Sequence, residues 1–124
     1  MNAVCGAACS SSLARLIPAL AAKHPSDRFA LLSSTRDDVI RGFFADPLAL
    51  AVMPEATFEA GLRNLAEAIE DDTPEAPPGE THAFIVPGTT HPMLDRPASF
   101  TSAGVPLFEW LRRQVEDDPA WAQA

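Results

Sequence analysis

Two groups of residues in this sequence have the types and positions that acid–base chemistry requires. His91 follows a short apolar run, residues 82–86, and Asp37 and Asp38 follow another, residues 28–33. Apolar runs of this length, bounded by turn residues, are typical of buried parallel strands. Because the carboxyl ends of adjacent parallel strands meet at one edge of a sheet, we expect an aspartate to reach His91 there. A carboxylate that orients an imidazole is the acid–base pair of a nucleophilic triad.

Each of these residues also has a simpler structural interpretation. An aspartate between a strand and a helix is a good N-cap, so the sequence favours Asp37 or Asp38 as the cap of a helix that begins near Val39. His91 could instead be a polar loop residue that hydrogen-bonds under the last helix. A metal site of His91 with Asp37, Asp38 or Asp95 would contain a single histidine, a poor ligand set for zinc. The sequence pattern by itself leaves these alternatives open.

The elements that must position these residues alternate along the chain. The pattern predicts helices at residues 13–24, 39–44, 54–70 and 105–116, and strands at residues 28–33 and 82–86. Strands separated by helices imply crossover connections and a parallel sheet. Two strands are few for a sheet that is buried on both faces. We therefore predict an α/β fold with a short parallel sheet and flanking helices, as a fragment or an unusually small domain.

Apolar spacing predicts which helix faces are buried. In the third helix the repeating residues are Phe58, Leu62, Leu65 and Ile69. In the last helix we expect a buried face of Leu107, Phe108, Leu111 and Val115, with Trp110 beside it. Trp121 follows this helix, and we expect it to fold back onto the core.

Composition and charge exclude several functional classes. The chain has 124 residues, enough for one small domain, and a net charge of −8 that argues against nucleic acid and anionic membranes as partners. No apolar run approaches the roughly 20 residues of a membrane span, and the first residues lack the pattern of a secretory signal. Residues 1–10 are predicted to be loosely ordered, and residues 71–80 to form an acidic, proline-rich connection. Cys5 and Cys9 are expected to be free thiols or one local disulfide, without a metal.

Two segments resemble a known enzyme family. The segment FIVPGTTHPMLDRPASFTSAGVPLFEWLRRQVEDDPAW resembles the C-terminal end of the bacterial pectin acetylesterase family. In that family a strand leads into G-T-x-H, then into F-T-x-x-G-V-x-L-x-x-W-L and D-D-P-x-W. The segment ALLSSTRDDVIRGFF resembles the same family's acid-bearing stretch. The resemblance covers residues 28–121 and is densest at residues 82–121.

The resemblance implies a fold, an activity and roles for three residues. It implies part of an α/β-hydrolase-like fold, with His91 as the catalytic histidine and Asp37 as the triad aspartate, Asp38 being the next choice. The substrate class implied is an O-acyl ester, such as an acetyl group on a saccharide-type acceptor, with no cofactor and no metal. A full-length parent protein would be secreted or periplasmic.

The sequence departs from the family at the nucleophile. No G-x-S-x-G motif is present, Ser10 to Ser12 lack flanking glycines, and Ser102 belongs to the start of the last helix. We therefore expect the C-terminal portion of an esterase domain, inactive alone, that associates with an N-terminal half or with itself through an exposed sheet edge. The alternative is a small non-catalytic α/β module that binds a partner through its strand edges.

Overall fold

A computed structural model describes residues 16–45, 51–71 and 80–124 of the chain. In order, the elements are α1 Leu16–Lys23, β1 Phe29–Ser34, α2 Asp38–Phe43, α3 Glu55–Asp71, β2 Thr81–Val86, a 3₁₀ turn Pro97–Ser99, β3 Thr101–Ser102, β4 Val105–Pro106 and α4 Leu107–Val115. The expectations for residues 1–10, for Cys5 and Cys9, and for most of the connection 71–80 lie outside the described residues. No helix within the described ranges is long and apolar enough to cross a membrane.

Strands β1 and β2 form a parallel two-stranded sheet. Their register runs from Phe29 opposite Thr81 to Ser34 opposite Val86. Between them the chain returns through α2 and α3, and α3 packs on β2. The sequence prediction of mixed helices and strands with a short parallel sheet is confirmed, because each apolar run forms one of the two paired strands.

The core of the described residues lies where β2 meets α4 and the chain's last residues. Its buried members are Phe84, Val86, Met93, Leu107, Trp110 and Trp121. The Trp110 ring centroid lies 5.5 Å from that of Phe84 and 5.1 Å from that of Trp121. Trp110 also donates a hydrogen bond from Nε1 to the Ala122 carbonyl at 2.6 Å. Trp121 folds back onto the core, as the sequence predicts.

The buried face of α4 differs from the predicted one. Trp110 is buried, whereas Phe108 is 58% exposed and Val115 is 81% exposed. At about 100° per residue, Trp110 and Leu111 flank Leu107 closely, and Phe108 and Val115 lie about 80–100° away from it. The prediction that Phe108 and Val115 belong to the core is wrong because the sheet contacts only the arc around Leu107.

The start of α4 also differs from the prediction. Val105 and Pro106 do not open the helix; they form β4, which pairs antiparallel with β3. The turn between the two strands is formed by Ala103 and Gly104, with φ values of 47° and 78°. Two consecutive positive φ angles are typical of the tight hairpin turns that match strand twist, which explains why a hairpin forms here.

The two edges of the sheet are covered unequally. At the outer edge of β2, the Ile85 amide donates to the Ala124 carbonyl at 2.9 Å, and the Ala124 amide donates to the Ala83 carbonyl at 3.0 Å. Ser102 Oγ donates to the Ile85 carbonyl at the same edge, at 2.8 Å. Among the described residues, no strand pairs with the other edge of β1. The chain's last residues therefore protect the outer edge of β2, and no described strand protects the outer edge of β1.

The first turn of α4 contains a glutamate, Glu109, whose pKa is changed by two arginines. Arg112 Nε and Arg113 Nε donate to the Glu109 carboxylate at 2.8 and 3.0 Å, and Arg112 also pairs with Glu116. The hydrogen bonds from Arg112, and then from Arg113, lower the pKa of Glu109 from 4.5 to about 2. A carboxyl group whose pKa is lower in the folded state than in the unfolded state stabilises the folded state at pH values above its pKa in the unfolded state. This stabilisation is lost as the pH falls through its pKa in the folded state.

We therefore expect replacement of Glu109 by glutamine to reduce the acid sensitivity of the fold. Between about pH 4.5 and pH 2 the free energy of unfolding of Glu109→Gln should fall less steeply than that of the parent chain. Urea unfolding across this pH range measures the slope. Glu67→Gln, which removes the charge of an exposed glutamate on α3, is the matched control for the loss of one carboxylate. If the free energy of unfolding depends on pH equally steeply in Glu109→Gln and in the parent chain, the lowering of the Glu109 pKa is contradicted.

Candidate acid–base site

Asp37 lies between β1 and α2 and caps the helix. Its Oδ1 accepts hydrogen bonds from the backbone amides of Val39 and Ile40, at 3.0 and 2.8 Å. These amides belong to the first turn of α2, where amides have no partner within the helix. The structural interpretation of this aspartate is therefore correct, and it applies to Asp37 and not to Asp38.

The second oxygen of Asp37 contacts His91. The distance from Oδ2 to His91 Nδ1 is 2.8 Å, the length of a strong charge-assisted hydrogen bond. The Asp37 side chain is 4% exposed and the His91 side chain is 37% exposed. One carboxylate thus caps a helix with one oxygen and orients an imidazole with the other.

Asp38, the second choice from the sequence, is directed elsewhere. Its carboxylate forms an ion pair with Arg41 at 3.0 Å and is mostly exposed. Arg41 also donates from Nε to the Met53 carbonyl at 2.8 Å, so this pair belongs to the junction between α2 and α3. Of the two adjacent aspartates, the structure brings only Asp37 to His91.

Hydrogen bonds between the loops after the two strands hold the pair together. Backbone amides of Thr35, Arg36 and Asp38 donate to the carbonyls of Val86, Gly88 and Thr89, at 2.9, 2.8 and 3.3 Å. Ser34 Oγ donates to the Thr90 carbonyl at 2.8 Å. Gly88 has a φ of 124°, which residues with a Cβ rarely adopt, and its amide donates to Thr35 Oγ1 at 3.3 Å. These contacts extend the pairing of β1 and β2 past the strand ends and fix the distance between Asp37 and His91.

Sequence reasoning missed the contribution of Ser34 and Thr35 to this arrangement. Their small hydroxyl side chains are buried at the end of β1 and connect it to the loop that carries His91. The available signal was the change from apolar to hydroxyl residues at the end of the strand. Such residues are common at strand ends, and only the register of the sheet shows which carbonyl each one reaches.

The Asp37 contact determines which nitrogen of His91 is available for chemistry. An ionised carboxylate only accepts hydrogen bonds, so Nδ1 of the neutral ring carries the hydrogen and Nε2 is the unprotonated nitrogen. Nε2 has no hydrogen-bond partner among the described residues. A half-exposed imidazole with an unprotonated, accessible nitrogen can accept a proton from a nucleophile and return it to a leaving group.

Two cavities meet at this pair. One has a volume of about 570 Å³ and extends beneath α3, and the other has a volume of about 130 Å³ and lies beside Met93. Both are lined by Leu32, Ser33, Asp37 and His91. A reacting group therefore has room beside the acid–base pair.

The hydroxyl groups of Ser33, Ser34 and Ser102 are engaged elsewhere. Ser102, considered as a nucleophile from sequence, donates to the Ile85 carbonyl at the far edge of β2. Ser33 and Ser34 donate to the carbonyls of Ser34 and Thr90. Ser10 to Ser12 lie outside the described residues. Within the described ranges, no serine hydroxyl hydrogen-bonds to His91.

Other histidines and acids do not extend the site. The ring centroid of His82 lies 4.6 Å from that of Trp121, and its Nε2 lies 3.4 Å from a Glu80 oxygen, at the start of β2. The described residues contain no group of three histidine, cysteine or acidic side chains that could hold a metal ion, so Asp95 does not form one with His91. Among the described residues, Asp37 and His91 form the acid–base pair at this edge of the sheet.

In comparisons with protein-family models, with curated proteins and with solved structures, nothing matches this chain. The esterase resemblance therefore remains a prediction from the sequence motifs. The geometry of Asp37 and His91 is the independent observation from which a function can be argued.

Proposed function

We propose that Asp37 and His91 are the acid and the base of a Ser–Asp–His-type carboxylic-ester hydrolase. The observation that carries this proposal is the 2.8 Å contact between a buried carboxylate and His91 Nδ1, at the carboxyl ends of adjacent parallel strands. The chain order, acid before histidine, is the order that α/β-hydrolases use after their serine. The partial α/β-hydrolase-like fold suggested by the sequence belongs to the same proposal.

The pair would act by moving one proton twice. Nε2 of His91 accepts the proton of a nucleophilic hydroxyl as its oxygen attacks the ester carbonyl, and then gives that proton to the departing alkoxide. A water molecule, activated by the same nitrogen, later releases the acyl group as a carboxylic acid. Asp37 stays ionised, holds the tautomer and stabilises the imidazolium that forms. The substrate class is an O-acyl ester, such as an acetylated saccharide, without a cofactor or metal.

The nucleophile half of the triad must come from outside the residues that the structure describes. A base without a nucleophile and its oxyanion-binding amides lacks the groups that supply most of the rate. We therefore expect the 124-residue chain alone to show no appreciable ester hydrolysis.

A chimera tests this function directly. In a bacterial pectin acetylesterase, the segment that resembles residues 28–121 and the three residues after it are replaced by residues 28–124 of this chain. We expect the chimera to hydrolyse p-nitrophenyl acetate, and the same chimera with His91→Ala to lose about 10³–10⁶-fold in kcat, since removing a triad base is that costly. His82→Ala, at the other end of β2, is the matched histidine control and should retain turnover.

A chimera that hydrolyses equally well without His91 would refute the catalytic assignment. NMR of the native chain gives a second measurement that needs no chimera. The imidazole ¹⁵N shifts of neutral His91 should show hydrogen on Nδ1 and none on Nε2. Hydrogen on Nε2 would remove the proposed base.

One specific observation favours a second candidate, a non-catalytic binding module. Val39, Phe43, Phe44 and Val52 are large apolar residues that are exposed around α2. β1 also has no strand at its outer edge among the described residues. Exposed apolar patches and open strand edges are features of partner-binding surfaces. A folded chimera without esterase activity would favour this candidate.

A further inference from the structure

The larger of the two cavities at the acid–base pair has the size of a ligand site. Its volume of about 570 Å³ lies within the roughly 300–1,000 Å³ that small-molecule sites occupy. It lies between β1, α2 and α3, and most of its wall is apolar: Leu31, Leu32, Ile40, Phe44, Met53, Phe58, Leu62 and Leu65. The polar side chains in the wall are those of Ser33, Asp37, Thr57 and His91.

The polar side chains in the cavity wall lie near the carboxyl edge of the sheet, because Ser33 and Asp37 are at the end of β1 and Thr57 is near the start of α3. Glu55, in the first turn of α3, pairs with Arg36 and Arg41 at 3.5 and 3.4 Å, which places that turn at the same edge of the sheet as Asp37. From there α3 returns toward the amino end of the sheet. Leu65 follows Thr57 by eight residues, so it lies about 12 Å deeper at 1.5 Å per residue. The end of the cavity at Asp37 and His91 contains the polar side chains, and the end near Leu65 is formed by leucines.

The charges around the cavity select an uncharged ligand. Among the described residues, no lysine or arginine lines it, and both oxygens of Asp37 already have hydrogen-bond partners. A carboxylate ligand would lie beside the Asp37 charge without a cation, and an unpaired charge next to apolar walls is costly. A neutral ester with a long apolar group matches the cavity at both ends.

We propose that this cavity binds the acyl chain of an ester whose acyl group is substantially longer than acetyl, with the ester carbonyl at the His91 end. The assignment of the carbonyl end rests on the proposed function of Asp37 and His91. An acetyl group would leave the leucine end in contact with water, whereas a longer chain removes this apolar surface from water at about 25 cal/mol per Å². The site thus extends the ester substrate class from acetyl esters to medium-chain acyl esters.

Binding by the native chain can be measured without any catalysis. Methyl esters of acetic, butanoic, hexanoic and octanoic acid are titrated into the chain, and amide shifts of α3 are followed by NMR. We expect the Kd to fall about fourfold for each added methylene, which corresponds to about 0.8 kcal/mol. Sedimentation of the same samples reports whether the chain is monomeric during the titration.

Gly61 offers a variant that fills the cavity without disturbing the fold. It lines the cavity within α3, and a Cβ built there meets no atom within 4 Å. Gly61→Leu is expected to raise the Kd for methyl octanoate at least tenfold, roughly the loss from excluding two methylenes. Gly61→Ala controls for helix propensity. Gly42→Leu introduces the same leucine at an exposed glycine of α2 that does not line the cavity. Both control variants should bind methyl octanoate with the Kd of the parent chain.

Three results would overturn the proposal: a Kd that does not depend on chain length, unchanged octanoate binding in Gly61→Leu, or a dimer that Gly61→Leu converts to a monomer. The last result would identify a second copy of the chain as the occupant. Ester binding with an inactive chimera would leave the cavity assignment intact and refute the hydrolase function. An active chimera without chain-length selectivity would refute only the acyl assignment.

Discussion

Replacing Asp37 by asparagine is expected to lower kcat of the esterase chimera about 10⁴-fold while leaving the helix cap in place. The asparagine carbonyl can still accept from the amides of Val39 and Ile40, because asparagine and aspartate are comparable N-caps. Its amide nitrogen would face Nδ1 and donate to it, so the hydrogen of the neutral imidazole would move to Nε2. The base of the proposed reaction would then be blocked. Turnover of p-nitrophenyl acetate measures the effect.

Two companion variants separate the roles of this carboxylate. Asp38→Asn changes the neighbouring acid that pairs with Arg41, and it should keep nearly the parent kcat. Asp37→Ala removes the cap as well as the orienting group, so it should lose about 0.5–2 kcal/mol of unfolding free energy relative to Asp37→Asn. A chimera whose kcat is the same with aspartate and asparagine at position 37 would refute the orienting role.

Replacing Trp110 by alanine is expected to cost about 3–5 kcal/mol of unfolding free energy, the usual loss for a buried tryptophan. Trp110 is almost fully buried, contacts the rings of Phe84 and Trp121, and donates to the Ala122 carbonyl. Small domains have total stabilities near the lower end of about 5–15 kcal/mol, so this variant should keep only about 0–2 kcal/mol and unfold at a much lower urea concentration than the parent. Urea unfolding followed by circular dichroism measures the loss.

Matched substitutions make this expectation specific. Phe108→Ala removes a large aromatic residue from the same helix, but Phe108 is mostly exposed, so the loss should stay within about 0.5 kcal/mol. Trp110→Phe keeps most of the aromatic ring and loses the hydrogen bond to Ala122. Its loss of unfolding free energy should therefore lie between those of Phe108→Ala and Trp110→Ala. Equal losses for Trp110→Ala and Phe108→Ala would contradict the observed orientation of α4.

The sequence predicted the parallel pairing of the two strands and the residues at their ends. Short apolar runs separated by helices favour parallel pairing, and parallel pairing places Asp37 and His91 at the same edge of the sheet. The long helix was also predictable, because Phe58, Leu62, Leu65 and Ile69 repeat at helical spacing. Local pattern was sufficient wherever the pattern and the tertiary environment favoured the same structure.

The errors arose where tertiary contacts outweigh local pattern. Val105 and Pro106 are compatible with a helix start, but pairing with Thr101 and Ser102 draws them into a hairpin. Phe108 and Val115 are as apolar as their neighbours, yet the orientation of α4 leaves them in water. The pairing of Ala124 with β2 was not predictable either, because a terminal alanine carries no signal of its hydrogen-bond partner.

For the acid–base pair, the sequence determined which residue types stand at the strand ends, and the tertiary structure decided how they are used. The local pattern does not distinguish adjacent aspartates as helix caps or as partners of a histidine, and only the family resemblance ranks Asp37 before Asp38. Only the register of the two loops, held by Ser34, Thr35 and Gly88, directs Asp37 toward His91 and Asp38 toward Arg41. The cavity beside the pair depends even more on tertiary structure, because residues from β1, α2 and α3 enclose it together. A carboxylate has two oxygens, so Asp37 can be both the cap that the local pattern favours and the partner of the histidine.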